Sequence, residues 1–134
     1  MKSMEKSRIA LRELLNQYTP HADRLAQVEE ELNSNVGNPT KISILLQERK
    51  LLLEYVNICI DKKADITKYC SNRAADIIWD SYALRMKTES VADKYGISKR
   101  CLELWLEFWI DKHYLIKKPV EDGETPWSQK KMNS

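Results

Sequence analysis

Between Thr88 and Trp109 the chain reads TESVADKYGISKRCLELWLEFW, and few folds accommodate that stretch. Val91, Ala92 and Tyr95 recur at the spacing of one helical face, and Thr88 stands where a hydroxyl can cap the start of a helix. Gly96 comes next, the residue type that enters the left-handed conformation at a helix end without steric cost. Ile97 then reads as an apolar plug, and Ser98 as the cap of a second helix whose inward positions are Leu102, Trp105, Leu106 and Trp109. Ala92 is small enough to let two crossing helices approach closely. Together these positions make the pattern of a helix-turn-helix, whose second helix enters the DNA major groove by its N-terminal end. An ordinary helical hairpin shares the helix–glycine–helix outline and is the structural alternative.

The second helix carries its own constraint. Cys101, Leu104 and Phe108 form a second apolar stripe beside Leu102, Trp105 and Trp109, which leaves Arg100, Glu103, Glu107 and Asp111 as the polar stripe. Beyond Arg100 that stripe is acidic, and carboxylates beside phosphates cost affinity, although a glutamate can accept a hydrogen bond from cytosine. The base-reading surface is therefore expected to be confined to Ser98, Lys99, Arg100 and Glu103. Arg73, Arg85, Lys87 and Lys94 are the expected phosphate contacts around the motif. The rest of the second helix is expected to be covered by N-terminal helices or by another subunit.

Upstream, Ile9, Leu11, Leu14, Leu15 and Tyr18 make one helical stripe, and Thr19-Pro20 reads as a cap followed by a proline in the first turn. Leu25, Val28 and Leu32 continue an apolar seam, while Glu29, Glu30 and Glu31 read as a solvated face. SNVGNPT, residues 34–40, is loop chemistry. From about Thr40 a long helix is expected, with Ile42, Leu45, Leu46, Leu52, Leu53, Val56, Cys59 and Ile60 on a broad face. Antiparallel packing on the first half is the economical arrangement. The stripe fits equally a helix packed within its own chain and a dimerising arm. Asp61 to Cys70 reads as either more helix or a short linker. Ser71 reads as the cap of a bracing helix with Ala75, Ile78, Trp79 and Tyr82 inward. The expected division is a helical region over 1–70, a helix-turn-helix domain over 71–118 and a flexible tail over 119–134, with Trp127 the tail's one anchor. The fold class is all-α, a helical arm followed by a C-terminal helix-turn-helix.

With 134 residues, a chain of this kind buries roughly two-thirds of its unfolded surface, so a core needs no disulfide. Three widely spaced cysteines, Cys59, Cys70 and Cys101, read as reduced packing residues of a cytoplasmic protein. No membrane span or secretory leader is expected. A net charge of +2 makes any DNA-facing charge local. There is no phosphate-binding glycine loop, HExxH or serine elbow, and His21 and His113 are lone, read as solvated or capping. No catalytic residue, cofactor or metal ligand is expected.

LLNQYTPHADRLAQVEEEL, a second long helix, a capped helix and a closing GISKRCLELW follow one another over residues 8 to 116. In this layout the chain resembles the RinA-type phage transcriptional activators, which are similar to the ArpU group and to region 4 of bacterial sigma factors. The resemblance implies a homodimeric phage or prophage regulator in the bacterial cytoplasm, binding promoter double-stranded DNA and activating late genes, with host RNA polymerase as a further partner. It places Ser98, Lys99, Arg100 and Glu103 at the DNA-reading turn. A phage small terminase subunit, or a helical module that binds protein instead of DNA, is the alternative expectation.

Overall fold

The computed structural model describes residues 2–127, and every regular element among them is helical. Helix α1 (Lys2–Asn16) leads after one residue into α2 (Tyr18–Ser34). The long α3 (Pro39–Tyr69) follows, then α4 (Asn72–Tyr82), α5 (Thr88–Tyr95) and α6 (Lys99–Trp109), which runs on into a π-helical turn (Ile110–Tyr114). None of these helices is long and apolar enough to cross a membrane.

Local chemistry accounts for most boundaries. The Asn38 side chain accepts the Lys41 N–H at 3.1 Å and Pro39 opens α3, so the expected loop shortens to Asn35–Asn38. The α3 helix then runs for 31 residues, roughly 46 Å at 1.5 Å per residue, and takes in Asp61–Tyr69. Ser71 accepts the Ala74 N–H at 3.0 Å and caps α4. Two expected caps are corrected. The α2 helix begins at Tyr18 with Gln17 at its cap position, so Thr19 lies inside the helix and its hydroxyl donates instead to the Ala83 carbonyl at 2.7 Å. Likewise Lys87, not Thr88, occupies the cap position of α5, and no side chain caps that end.

Two apolar clusters divide the molecule. The larger joins Leu11 and Leu15 of α1, Cys59 and Ile66 of α3, Ile77 and Ile78 of α4, Val91 of α5, and Leu102 and Phe108 of α6. This core runs across residue 70, with the C-terminal half of α3 inside it. The smaller holds only Val28, Leu45 and Leu52, with Leu25 and Leu32 packed against them, between α2 and the N-terminal half of α3. Arg24 with Glu48, and Arg49 with Glu29 at 3.4 Å, pair across those two helices. Leu46 and Ile60, expected inward, are 50 % and 46 % exposed, because α2 is too narrow to cover the whole apolar face of α3.

His113 is fully buried rather than solvated. Its Nδ1 lies 2.7 Å from the Lys118 carbonyl and its Nε2 3.2 Å from Glu124 Oε2, while the ring meets Phe108. The segment after Pro119 is thereby tied down at more than Trp127. The Val120 N–H donates to the Tyr69 carbonyl at 2.9 Å, and Trp127 stacks edge-on to Trp105 at 5.7 Å. The remainder of the expected tail, residues 128–134, lies outside the described residues.

Candidate nucleic-acid interface

The α5–α6 pair is set by its turn. Gly96 adopts φ +68° and ψ +35°, the left-handed conformation, and the Ile97 N–H reaches back to the Ala92 carbonyl at 3.0 Å. Ile97, partly buried, packs on the main core. Ser98 takes an extended conformation and accepts the Cys101 N–H at 3.1 Å, capping α6. Leu102 is 1 % exposed and anchors the first turn of α6; Trp105, expected equally deep, is only partly buried and shares an aromatic cluster with Trp109, Phe108 and Trp127. The consequence is a helix start that is rigidly seated on one side and open on the other.

On that open side stand Ser98, Lys99, Arg100 and Glu103, all exposed. Arg100 lies 3.7 Å from Glu103 along its own helix, and Lys99 donates to Glu89 in the first turn of α5 at 2.8 Å. The hydrogen bond from Lys99 holds the Glu89 carboxyl below its usual range, and the same bond raises the lysine. Lys94 and Arg73 gather at the other end of α5. Lys94 and the Tyr95 hydroxyl both donate to Asp80 Oδ2, at 2.7 and 2.6 Å, and Arg73 reaches the Tyr95 carbonyl at 3.5 Å. Arg85 and Lys87 are exposed in the turn between α4 and α5, and among the described residues neither forms an ion pair. The eight charged and polar residues expected at the interface thus fall in three groups. Lys99, Arg100, Ser98 and Glu103 sit at the start of α6, and Arg73 with Lys94 lies at the end of α5. Arg85 and Lys87 precede α5 in the chain.

Two residues outside the expected set shape this surface. Asp80, 5 % exposed, ties α4 to the end of α5 through Lys94 and Tyr95. An aspartate amid the inward residues of α4 is its only sequence signal. Arg8 of α1 donates to Asp111 at 2.7 Å and lies 3.9 Å from Glu107. The acidic side of α6 is therefore turned toward α1, where Arg8 and Arg12 line a cleft of about 380 Å³ with Glu103 and Glu107. Burial raises the Asp111 carboxyl above its ordinary range, with Arg8 pulling the other way. No pattern in the sequence points from residue 8 to residue 111. Among the described residues no group of histidine, cysteine, aspartate and glutamate is placed to hold a metal ion. Compared with protein-family models, curated proteins and solved structures, the chain matches none of them.

Proposed function

We propose that this protein is a sequence-specific DNA-binding regulator that works as a homodimer. In it α5, Gly96 and α6 act as the helix-turn-helix, and α2 with the N-terminal half of α3 forms an antiparallel arm. The observation that carries this is the first turn of α6. Ser98, Lys99, Arg100 and Glu103 point to solvent from a helix whose Leu102 is locked in the core at 1 % exposure. A rigid, capped helix start bearing an arginine is what major-groove readout requires. Arg100 is the candidate for bidentate pairing with guanine. Lys99 is a candidate phosphate contact, as are Arg73, Arg85, Lys87 and Lys94.

The internal pairs do not stand against this role. Lys99–Glu89 and Arg100–Glu103 join side chains more than half exposed, and such solvent-screened pairs are weak, so phosphate or guanine displaces them readily. Of the acidic residues on α6, Asp111 is held by Arg8 at 2.7 Å, and Glu107 lies 3.9 Å from the same guanidinium. The resemblance to RinA-type activators narrows the role to a phage or prophage activator of late genes that contacts host RNA polymerase.

Selection of bound duplexes from a random pool tests the proposal, and enrichment of a defined site is the expected result. Arg100→Ala should then weaken that site about tenfold or more and relax preference at one base pair. Lys99→Ala should weaken all duplexes alike and lower the salt dependence by about one phosphate. If no sequence is enriched and neither variant changes duplex affinity, the protein does not read DNA through α6. A ring-sized oligomer in light scattering would instead favour a small terminase subunit.

A further inference from the structure

The N-terminal half of α3 leaves one apolar face uncovered. Ile44, Leu51, Tyr55 and Ile58 are 61, 58, 47 and 46 % exposed. They stand seven, four and three residues apart, the spacing of successive d, d, a and d positions in a heptad seam. Glu48 and Lys62 fall at the a positions that complete the series. The α2 helix covers the adjoining face, where Leu45 and Leu52 are buried, and stops at the seam's edge. There His21 stacks on Tyr55 at 4.6 Å and Arg24 holds Glu48. We propose that a second copy of this chain docks on the seam, α3 against α3 and antiparallel, about a two-fold axis near Leu53.

The self-matching apolar pattern of the seam selects the occupant, and its charged positions the direction. A parallel pair would set Glu48 on Glu48 and Lys62 on Lys62, like charges facing each other inside an apolar interface. Run antiparallel about Leu53, the seam is complementary to itself: Leu51 meets Tyr55 twice, and the ends place Glu48 on Ile58 and Lys62 on Ile44 without a like-charge contact. A two-fold axis makes each contact occur twice, as a homodimer requires. Size agrees as well. Four large side chains about half exposed offer on the order of 400 Å² of apolar surface, within the range of the largest patch on a monomer, which is often functional. With polar side-chain stems and the near edge of α2, a twenty-residue overlap approaches the ~800 Å² per partner of a stable pair.

This inference rests on the homodimer proposed above and not on its DNA target. Cys59, Ile66 and Cys70 place the contribution of α3 to the main core near residue 65. That lies roughly 18 Å along the helix from Leu53, so the points where the two copies of α3 enter their own cores stand roughly 36 Å apart along the helix axis.

Sedimentation of the full chain at tens of micromolar is the first test. A particle of twice 15.7 kDa is expected. Leu51→Glu combined with Ile58→Glu should give the monomer mass with an unchanged circular-dichroism spectrum, since both side chains are exposed in the single chain. Leu46→Glu, on the other flank of α3, should leave the dimer intact. A monomeric parent, or a double variant that still dimerises, overturns the proposal. For the register, Leu51→Cys and Tyr55→Cys chains carrying Cys101→Ser should oxidise to a mixed disulfide at least tenfold faster together than either does alone. Equal self-linking of each would overturn the antiparallel arrangement. None of these readouts involves DNA, so failure of the duplex selection leaves them untouched; a monomeric parent removes the homodimer from the proposed function but leaves DNA reading by α6 standing.

Discussion

One helix serves two regions of this molecule in different ways. Its C-terminal half lies in the main core, where Cys59 and Ile66 are 2 % and 1 % exposed among side chains from α1, α4, α5 and α6. Its N-terminal half meets α2 alone, and only Val28, Leu45 and Leu52 are buried there. Around that small cluster, Arg24–Glu48 and Glu29–Arg49 pair across the two helices. Such surface pairs are weak and screened by salt. The difference teaches that continuity of a helix is not uniformity of stability: the head, meaning the helices around the main core, should open only by global unfolding, and the arm, α2 with the N-terminal half of α3, by local opening at lower free energy.

The largest test of that contrast is Leu102→Ala. With 1 % exposure and neighbours from several helices, its loss should cost about 3 kcal/mol, read as a lower urea midpoint for the whole chain. If instead α5 and α6 melt separately while α1 and α4 stay folded, the head is not one cooperative unit. Gly96→Val comes next. No atom lies within 4 Å of where its Cβ would stand, so the cost is backbone strain at φ +68° alone, about 1–2 kcal/mol by thermal unfolding. An unchanged melting temperature would mean that the turn relaxes freely.

Val28→Ala should cost about 1–2 kcal/mol for lost packing in the arm. Amide exchange should quicken along α2 and the first half of α3 and stay unchanged in α4. Equal acceleration in α4 would join arm and head into one unit. The smallest effect is a pH dependence of opposite sign at two carboxyls, one in each region. Glu48 is held below its ordinary range by the hydrogen bond from Arg24, so its contribution is present above its unfolded pKa and fades as pH falls through the lower folded value. Asp111 is raised by burial, so the head gains stability as pH falls from its raised folded value toward its unfolded one. NMR titration of the folded chain should therefore place the Asp111 carboxyl above its ordinary value and the Glu48 carboxyl below its own. Asp111 at or below its ordinary value, or Glu48 at or above its own, would reverse the assignment.

Several elements were legible because their chemistry is local. Ser71 and Ser98 cap the helices they precede, Gly96 is left-handed where the apolar spacing breaks, and Leu102 is buried where the 3.6-residue period puts it. Thr19 and Thr88 misled for a related reason: a hydroxyl beside a helix start is a cap only if no better partner is near, and Thr19 found the Ala83 carbonyl. His113 looked solvated because one histidine in a polar segment carries no periodic signal, yet the π-helical turn carries it beneath the segment that follows. The surface residues at the start of α6 could be named in advance, but their ion-pair partners could not.

What the sequence alone determined is the helical class, the turn at Gly96 and the outward first turn of α6, since each follows from neighbours within about four residues along a helix. Tertiary structure decided which half of α3 enters the core, and turned the acidic side of α6 toward Arg8, 103 residues before Asp111. It also left Ile44, Leu51, Tyr55 and Ile58 uncovered. Those outcomes depend on which helix lies across which face. A stripe of apolar residues states that a face will be covered; only the packing of the other helices determines which part of it is, and by what.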